Sequence, residues 1–464
     1  MQKKQFVDYK EFLQFAFKNK DKISSFKYYG GRLYSFRTNA YNCKYIIDNG
    51  VITPNKFVSL LGFENYNAFI NKKFSKLKEF AQTKADAKKW YCGFFGGLVG
   101  VNRHIVNNYV GNGEVNDFYD YDINKAYLFQ LTQFLPTRFV KTLTPLQFEK
   151  LEELDKIPYI YFFELELKTT QSQYLKAIGK IKEIYKSFDF LNSKQGTKII
   201  VSELRLNLIN QIYFKDYTIK KVFVFERGRF KFYENILNRY LEVKENYGAE
   251  FKQNALRLYG TLGQINKSTP TKIRFDTNGD LIVNYKQEIN FNCAPQVAMW
   301  VTDSVANRLF NIIQANYNYI ISWNTDGLTS TKSLGLQISK KAGKWKCKKI
   351  TAIPFLFNDT GARLFFKDIQ TNEIIGANNI YEENGKLFEF VQFSYSNVNK
   401  GYVEKTRLFK IDKTITFNEM KTFRNQILKE KFIKEISREY EQFWLWRFTN
   451  LRFVWHNIKR IRRR

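Results

Sequence analysis

Histidine is almost missing from this chain of 464 residues: only His104 and His456 occur, far apart. That excludes a histidine-based metal centre or a Ser-His pair as the source of any chemistry. Cysteine is equally sparse. Cys43, Cys92, Cys293 and Cys347 stand singly, with no Cys-x-x-Cys among them, which speaks against a zinc module or a disulfide framework and for reduced core thiols. No run of 18 apolar residues occurs, and the basic N-terminus MQKKQFVDYKEF has no apolar segment behind it. The expectation is a soluble, cytoplasmic protein with no membrane partner. Internal repeats and low-complexity linkers are lacking too. Acids are scarce: 44 Asp and Glu face 75 Lys and Arg, a formal charge of +31. An A·T-rich coding sequence favours Lys and Asn, but it does not thin the acids, so the imbalance points to a polyanionic partner.

With His and Cys set aside, metal chemistry must rest on carboxylates. Asp122 stands in YDINKAYLFQL and Asp326 in WNTDGLTS, and between them EFKQNALRLYG carries Lys252 ahead of Tyr259-Gly260. Each segment alone reads as ordinary: an Asp at a strand end, an Asp-Gly turn, a solvated lysine. Together, on a basic chain with no other catalytic set, they are the minimum needed to gather two magnesium ions and a nucleoside triphosphate. They point to a nucleic-acid polymerase.

The pattern of elements is mixed, which predicts an α+β fold. DFYDYDINKAYLFQL reads as a buried strand turning into a helix closed by Pro136. YIYFFELELK reads as a strand, TKIIVSELRLNLINQIYF as a strand passing into a helix, and Phe230 to about Gly260 as one basic helix. TKIRFD and LIVNYK flank Asn278-Gly279, a hairpin signal. A helix from about Ala294 to Ala315 leads into the strand YIISW. The glycines of GFFGGLVG suit a close backbone approach or a packed turn.

These segments resemble the motifs of family B DNA polymerases, specifically the protein-primed branch of small tailed phages and linear plasmids. Asp122 with Tyr127 resembles motif A, Lys252 through Tyr259-Gly260 motif B, and Asn324-Thr325-Asp326 motif C. Phe94-Phe95-Gly96-Gly97 resembles the family's Tyr-x-Gly-Gly segment. The likeness runs from about 90 to 410. Three positions depart from the pattern: Asn324 where an acid is usual, Leu256-Arg257 where motif B has Asn-Ser, and Arg363-Leu364-Phe365 for a Lys-x-Tyr.

The resemblance implies a right-hand architecture of palm, fingers and thumb with two insertions. Residues 1–93 would be a truncated or replaced exonuclease region, 94–140 the first palm part, and 141–235 the insertion that meets a priming protein. Residues 236–263 would be the fingers, 264–292 the strand-displacement insertion, 293–410 the second palm part, and 411–464 the thumb with a basic tail. It further implies two Mg²⁺, with Mn²⁺ as a substitute, on Asp122, Asp326 and Ile123. Tyr127, Lys244, Lys252 and Tyr259 would meet the incoming nucleotide, Tyr127 excluding a 2′-hydroxyl. Phe94, Gly96, Gly97, Gly260, Thr325 and Arg363 would lie along the nucleic acid. The implied partners are primer–template DNA, deoxynucleoside triphosphates and a terminal protein that supplies the priming hydroxyl. Proofreading is not expected. Before residue 94 the acids are Asp8, Glu11, Asp21, Asp48, Glu64, Glu79 and Asp86, with no Asp-x-Glu to begin a second two-metal site. Two other readings stay open: synthesis without primer or template in a defence system, and a non-catalytic nucleic-acid-binding protein on a polymerase scaffold.

Overall fold

The computed structural model describes residues 1–7, 9–29, 32–45, 54–63, 65–102, 105, 109, 114–168, 196–213, 215–275, 281–358, 363–367, 369, 374–375, 380–383, 386–397 and 401–411. The fold is α+β, and the described residues form four sheets with helices packed between them. Central to it is an antiparallel sheet of seven strands. Its order is Ile374–Ile375, Arg363–Lys367, Trp345–Asn358, Asn116–Ile123, Gly327–Ser330, Ile320–Thr325 and Leu98–Val101. Ile320, Ile321, Ser322 and Trp323 are all buried, as expected of an inner strand whose two faces are both covered.

Behind this sheet lies the helix Pro295–Asn316, begun by a proline whose missing N–H costs nothing at the first turn. Val297, Val301, Val305 and Leu309 recur every four residues and, with Ala298, Ala306 and Ile313, give it a wide buried face. Each of the Val, Leu and Ile side chains contributes about 1.5–3 kcal/mol by leaving water. The same core takes in Tyr233, Ile236 and Tyr240 of the 30-residue helix Lys231–Gly260. It also takes in Phe57, Val58 and Tyr66 from the N-terminal helices Pro54–Leu60 and Tyr66–Lys73. The Tyr66 hydroxyl meets the Leu258 carbonyl at 2.8 Å and the Tyr233 hydroxyl at 3.2 Å, so these N-terminal helices are built onto the long helix.

A second, four-stranded antiparallel sheet orders Leu135–Leu143, Tyr217–Gly228, Tyr159–Leu167 and Lys198–Ser202. Pro136 belongs to its edge strand and does not close the preceding helix, which ends at Leu131. An edge strand tolerates proline because one row of its N–H groups has no partner. The predicted hairpin forms, with Asn266–Phe275 antiparallel to Leu281–Ile289; the Asn278-Gly279 turn lies outside the described residues. Through Val283 opposite Tyr402 this hairpin joins Gly401–Ile411 and Lys386–Asn397 in a five-stranded sheet, so those last strands pair away from the central sheet. The first 45 residues form a sheet of their own, with one helix on it and a small core of Phe12, Ala16, Leu33, Phe36 and Cys43. Among the described residues no helix is long and apolar enough to cross a membrane. His456 and the basic C-terminal tail lie outside the described residues, as does His104.

Candidate active site

Asp122 is the penultimate residue of its strand, and the strand beside it begins at Gly327, directly opposite. Gly327 follows the turn Asn324-Thr325-Asp326, so the two acids, 204 positions apart in sequence, meet at one end of the central sheet. The Ile123 amide donates to the Asp326 carbonyl at 3.0 Å and ties the turn to the Asp122 strand. The Ile123 side chain is buried, so only its main chain is available to a ligand.

The turn itself is strained. Asp326 N–H donates to the Asn324 carbonyl at 2.8 Å across a three-residue loop, and Thr325 at its centre has φ +57°. A β-branched residue with positive φ is uncommon, and a γ-turn of this hand is rare; strain of this kind persists only where the surroundings enforce it. Those surroundings are visible. A Cβ added to Gly97 would lie 2.9 Å from the Thr325 Cα, and one added to Gly327 would lie 2.9 Å from the Tyr121 carbonyl oxygen and 3.6 Å from Asp122 Oδ1. Backbone therefore presses on the turn from both sides. The Thr325 hydroxyl donates to Asp326 Oδ1 at 2.9 Å and so orients the carboxylate.

Asp122 also faces Lys346 across the sheet, with Nζ to Oδ2 at 2.6 Å. Asp120, two residues back and hence on the same face, lies opposite Thr329 and Lys348. Its carboxyl is raised, first by the protein packed around it and then by Asp122. Among the described residues no group of three or more His, Cys, Asp or Glu is placed to hold a metal ion. The Asp122–Asp326 pair nonetheless offers hard oxygen donors of the kind magnesium takes, and Lys346 shows a cation already seated against one of them.

Tyr127 enters from the short helix Ala126–Leu131, whose entry residue Lys125 has φ +51°. That sharp entry is stitched down by Asn124: its amide donates to the Lys344 carbonyl at 2.9 Å, and its carbonyl accepts from Gly343 N–H at 2.7 Å. Gly343, with φ +74°, sits against the Phe129 ring where any Cβ would overlap. The Tyr127 ring stacks on Tyr259 at 4.9 Å and 9°. Its hydroxyl is held well above the usual tyrosine range, by burial first, then by Tyr259, Asp326 and Asp122, while a hydrogen bond with Thr325 opposes the rise. Burial, with help from Asp326, pushes Tyr259 up to about 12. Asp122, Asp326, Tyr127 and Tyr259 thus share one site.

Comparison with solved structures gives similarity to phi29 DNA polymerase. Its ternary complex with primer-template DNA and incoming nucleotide substrates matches at 17% identity and TM-score 0.47, covering 77% of this chain and 66% of that one. The orthorhombic crystal form of the phi29 enzyme matches at 17% identity and TM-score 0.44, covering 79% and 60%. The complex with single-stranded DNA matches at 16% and 0.43, covering 82% and 60%. The chain therefore spans less than two thirds of the length of these polymerases. No family model matches the sequence, and no curated protein matches it.

Lys252 stands two helical turns before Tyr259 in the helix Lys231–Gly260, and Lys244 lies farther back; both side chains are outside the described residues. So is that of Arg363, whose backbone begins the strand Arg363–Lys367. Gly260 ends the long helix with ordinary helical φ, and a Cβ there would meet nothing within 4 Å. Phe94 is 36% exposed and leans toward Gly263.

Residues beyond those read from the sequence hold the site. Arg205 is buried and pairs with Asp303 at 2.7 Å, while donating to the Gly96 carbonyl at 2.9 Å. Ser202 donates to the other Asp303 oxygen at 2.6 Å. Burial pushes the Asp303 carboxyl up, against the pull of Arg205 and Ser202. This network anchors Gly96, whose φ of +71° turns the chain so that Gly97 can reach Thr325. Lys346 carried a weak signal, the alternating Lys-Trp-Lys-Cys-Lys of a strand with one charged face. Arg205 gave none beyond its place in the stretch VSELRLNLINQIY, because one arginine in an amphipathic helix is indistinguishable from a solvated one.

Proposed function

We propose that this protein is a DNA-directed DNA polymerase working by two-metal nucleotidyl transfer. The observation that carries the reading is the strained Thr325-Asp326 turn laid against Asp122, with the Tyr127–Tyr259 stack beside both acids. Asp122 and Asp326, with the Ile123 main chain, would hold two Mg²⁺, for which Mn²⁺ would substitute. When bound, the ions supply activation of the primer hydroxyl and charge neutralisation on the triphosphate. The chain's own part is placement. Thr325 aims Asp326, and Lys346 neutralises Asp122 through an ion pair that a bound metal would replace. Tyr259 packs against the nascent pair, and the rigid Tyr127 ring beneath the sugar rejects a 2′-hydroxyl. Lys252 and Lys244 neutralise triphosphate charge as mobile point charges.

The test is primer extension on a defined template with and without Mg²⁺. Asp122→Ala and Asp326→Ala should each abolish incorporation, while DNA binding stays within a few-fold because phosphate contacts lie elsewhere. Appreciable Mg²⁺-dependent activity in Asp326→Ala would overturn the assignment. The Lys346–Asp122 ion pair and Asn324 favour a second reading, a nucleic-acid-binding protein without catalysis, which predicts DNA binding and no incorporation by the parent chain. Initiation is proposed to use a Ser, Thr or Tyr hydroxyl of a terminal protein docked on residues 141–235. Reversing the exposed charges of Lys150, Lys198 and Lys221 should then impair protein-primed starts and spare extension of a DNA primer.

A further inference from the structure

Among the described residues, nothing in the N-terminal module covers one face of its sheet. Its strands run in the order Gln2–Phe6, Tyr41–Tyr45, Arg32–Arg37 and Ser25–Tyr29. Register aligns Lys4, Cys43, Phe36 and Phe26 across all four, and this row faces inward, where Cys43 and Phe36 meet the helix residues Phe12 and Ala16. Lys4 is drawn into that side, its ammonium 4.4 Å from the Phe15 ring centroid.

The rows on either side point the other way, because successive residues of a strand alternate between faces. One row is Lys3, Asn42, Arg37, Ser25; the other is Gln5, Lys44, Ser35, Lys27. Each strand thus contributes one cation, and the cations alternate between the two rows like the dark squares of a chequerboard. Neutral hydrogen-bonding residues fill the remaining squares, with no acid and no apolar side chain among the eight. Lys3, Lys27, Arg37 and Lys44 are all exposed, and among the described residues no carboxylate pairs with any of them.

Strands about 4.8 Å apart and a two-residue step of about 6.7 Å place neighbouring cations roughly 8 Å from one another. That is about one Debye length at physiological salt, so the four repel one another, with no acid among the described residues paired to them. A hydrophobic core elsewhere in the module does not need this face, and a polyanion laid across it removes the repulsion. The module is also tied to the rest of the chain through the turn end of a hairpin. Phe17 packs edge-on against Phe275 at 5.5 Å, and Ile273 and Leu281 border the same small core. Those residues belong to the hairpin that follows the Tyr259 helix after one short turn.

We propose that this open sheet face is a nucleic-acid tether that grips the phosphodiester backbone of a strand leading to or from the active site. The choice of nucleic acid among polyanions rests on the polymerase reading above. None of the eight residues carries an aromatic ring, so their recognition is of phosphate and carries no sequence preference.

The test uses the full chain with Lys3, Lys27, Arg37 and Lys44 all replaced by Gln. Binding of labelled single-stranded and duplex DNA is followed by fluorescence anisotropy across a salt series. The slope of log affinity against log salt should become shallower by about 3 on single strands and about 4 on duplex if all four cations meet phosphates. Affinity at low salt should fall about tenfold or more, and which DNA responds identifies the strand held. A companion variant, with exposed Lys72, Lys78, Lys84 and Lys88 changed to Gln, removes equal charge elsewhere. Thermal melting of both variants checks folding. Equal losses in the two variants, or an unchanged slope in the first, would overturn the tether. So would selective loss of binding to vesicles containing anionic phospholipid with DNA binding intact, which would assign the face to a membrane. Primer extension at saturating DNA separates this proposal from the polymerase reading. A tether variant that extends normally but binds weakly supports both, whereas loss of binding in a chain that never incorporates nucleotide leaves the tether and removes the polymerase.

Discussion

Alanine at Gly97 would bring its Cβ within 2.9 Å of the Thr325 Cα, and because that neighbour is backbone, the turn carrying Asp326 has to move. Gly97→Ala is therefore expected to lower incorporation at least tenfold with a destabilisation of about 1–3 kcal/mol, measured by primer extension and chemical unfolding. Gly260 makes the contrasting case. Its φ is helical and its Cβ position is empty, so Gly260→Ala should stabilise the fold by about 0.5–1 kcal/mol. If DNA approaches that open space, DNA affinity falls in this more stable variant; unchanged affinity would remove Gly260 from the nucleic-acid surface. Tyr127→Val takes away the ring stacked on Tyr259, and it should raise ribonucleotide use relative to deoxyribonucleotide in single-turnover assays. A competent variant with the parent's sugar preference would end the steric-gate reading.

The helix Glu203–Ile212 shows how one element serves both stability and the site. Its first residue, Glu203, is pushed up to about 7 by burial, against the Tyr161 amide and Arg227. Unfolded, the same side chain titrates near 4.3. The folded state therefore binds more protons between these values: the contribution is fully present below the unfolded pKa and is lost as pH rises through 7. Glu203→Gln should abolish this loss and leave the variant more stable than the parent at pH 8, by about 2 kcal/mol after allowance for solvent screening. Parallel unfolding curves at pH 5 and pH 8 decide it. Two residues on, Arg205 reaches both Asp303 and Gly96. Arg205→Lys keeps the charge but cannot reproduce the fork, so it should retain much of the stability and lose activity through Gly96. Asp303→Asn strands a buried guanidinium and should cost about 3–5 kcal/mol.

Across the molecule, the antiparallel order of the central sheet does the assembling. Asp122 and Asp326 become neighbours because Gly327–Ser330 pairs directly with Asn116–Ile123, and the Leu98–Val101 edge strand closes the turn from the far side. With +31 charges on the chain, DNA affinity should fall steeply with salt for any sequence tested. A flat salt response would be incompatible with phosphate contacts as the main source of binding.

Much of this was legible in the chain as written. Local periodicity gave the long helix, the strand into Asp122, the hairpin around Asn278-Gly279 and the helix before Ile320, because these patterns depend on residues a few positions apart. Scarcity of His and Cys left carboxylates as the only metal donors, and charge indicated a polyanion; both follow from composition alone. Pro136 misled, since a proline marks a helix end and an edge strand equally well and only the sheet order separates them. The glycines of GFFGGLVG announced a close approach without naming the neighbour. That Gly97 meets Thr325, that Arg205 holds Gly96 through Asp303, and that Lys346 covers Asp122 are contacts between segments some 100 to 230 positions apart. The chequerboard of cations draws on residues much closer in sequence, yet it too exists only once register has aligned four strands. Short-range order is written in spacing and residue type, whereas such pairings are set by which strands bury their faces together, a choice made by the whole core at once.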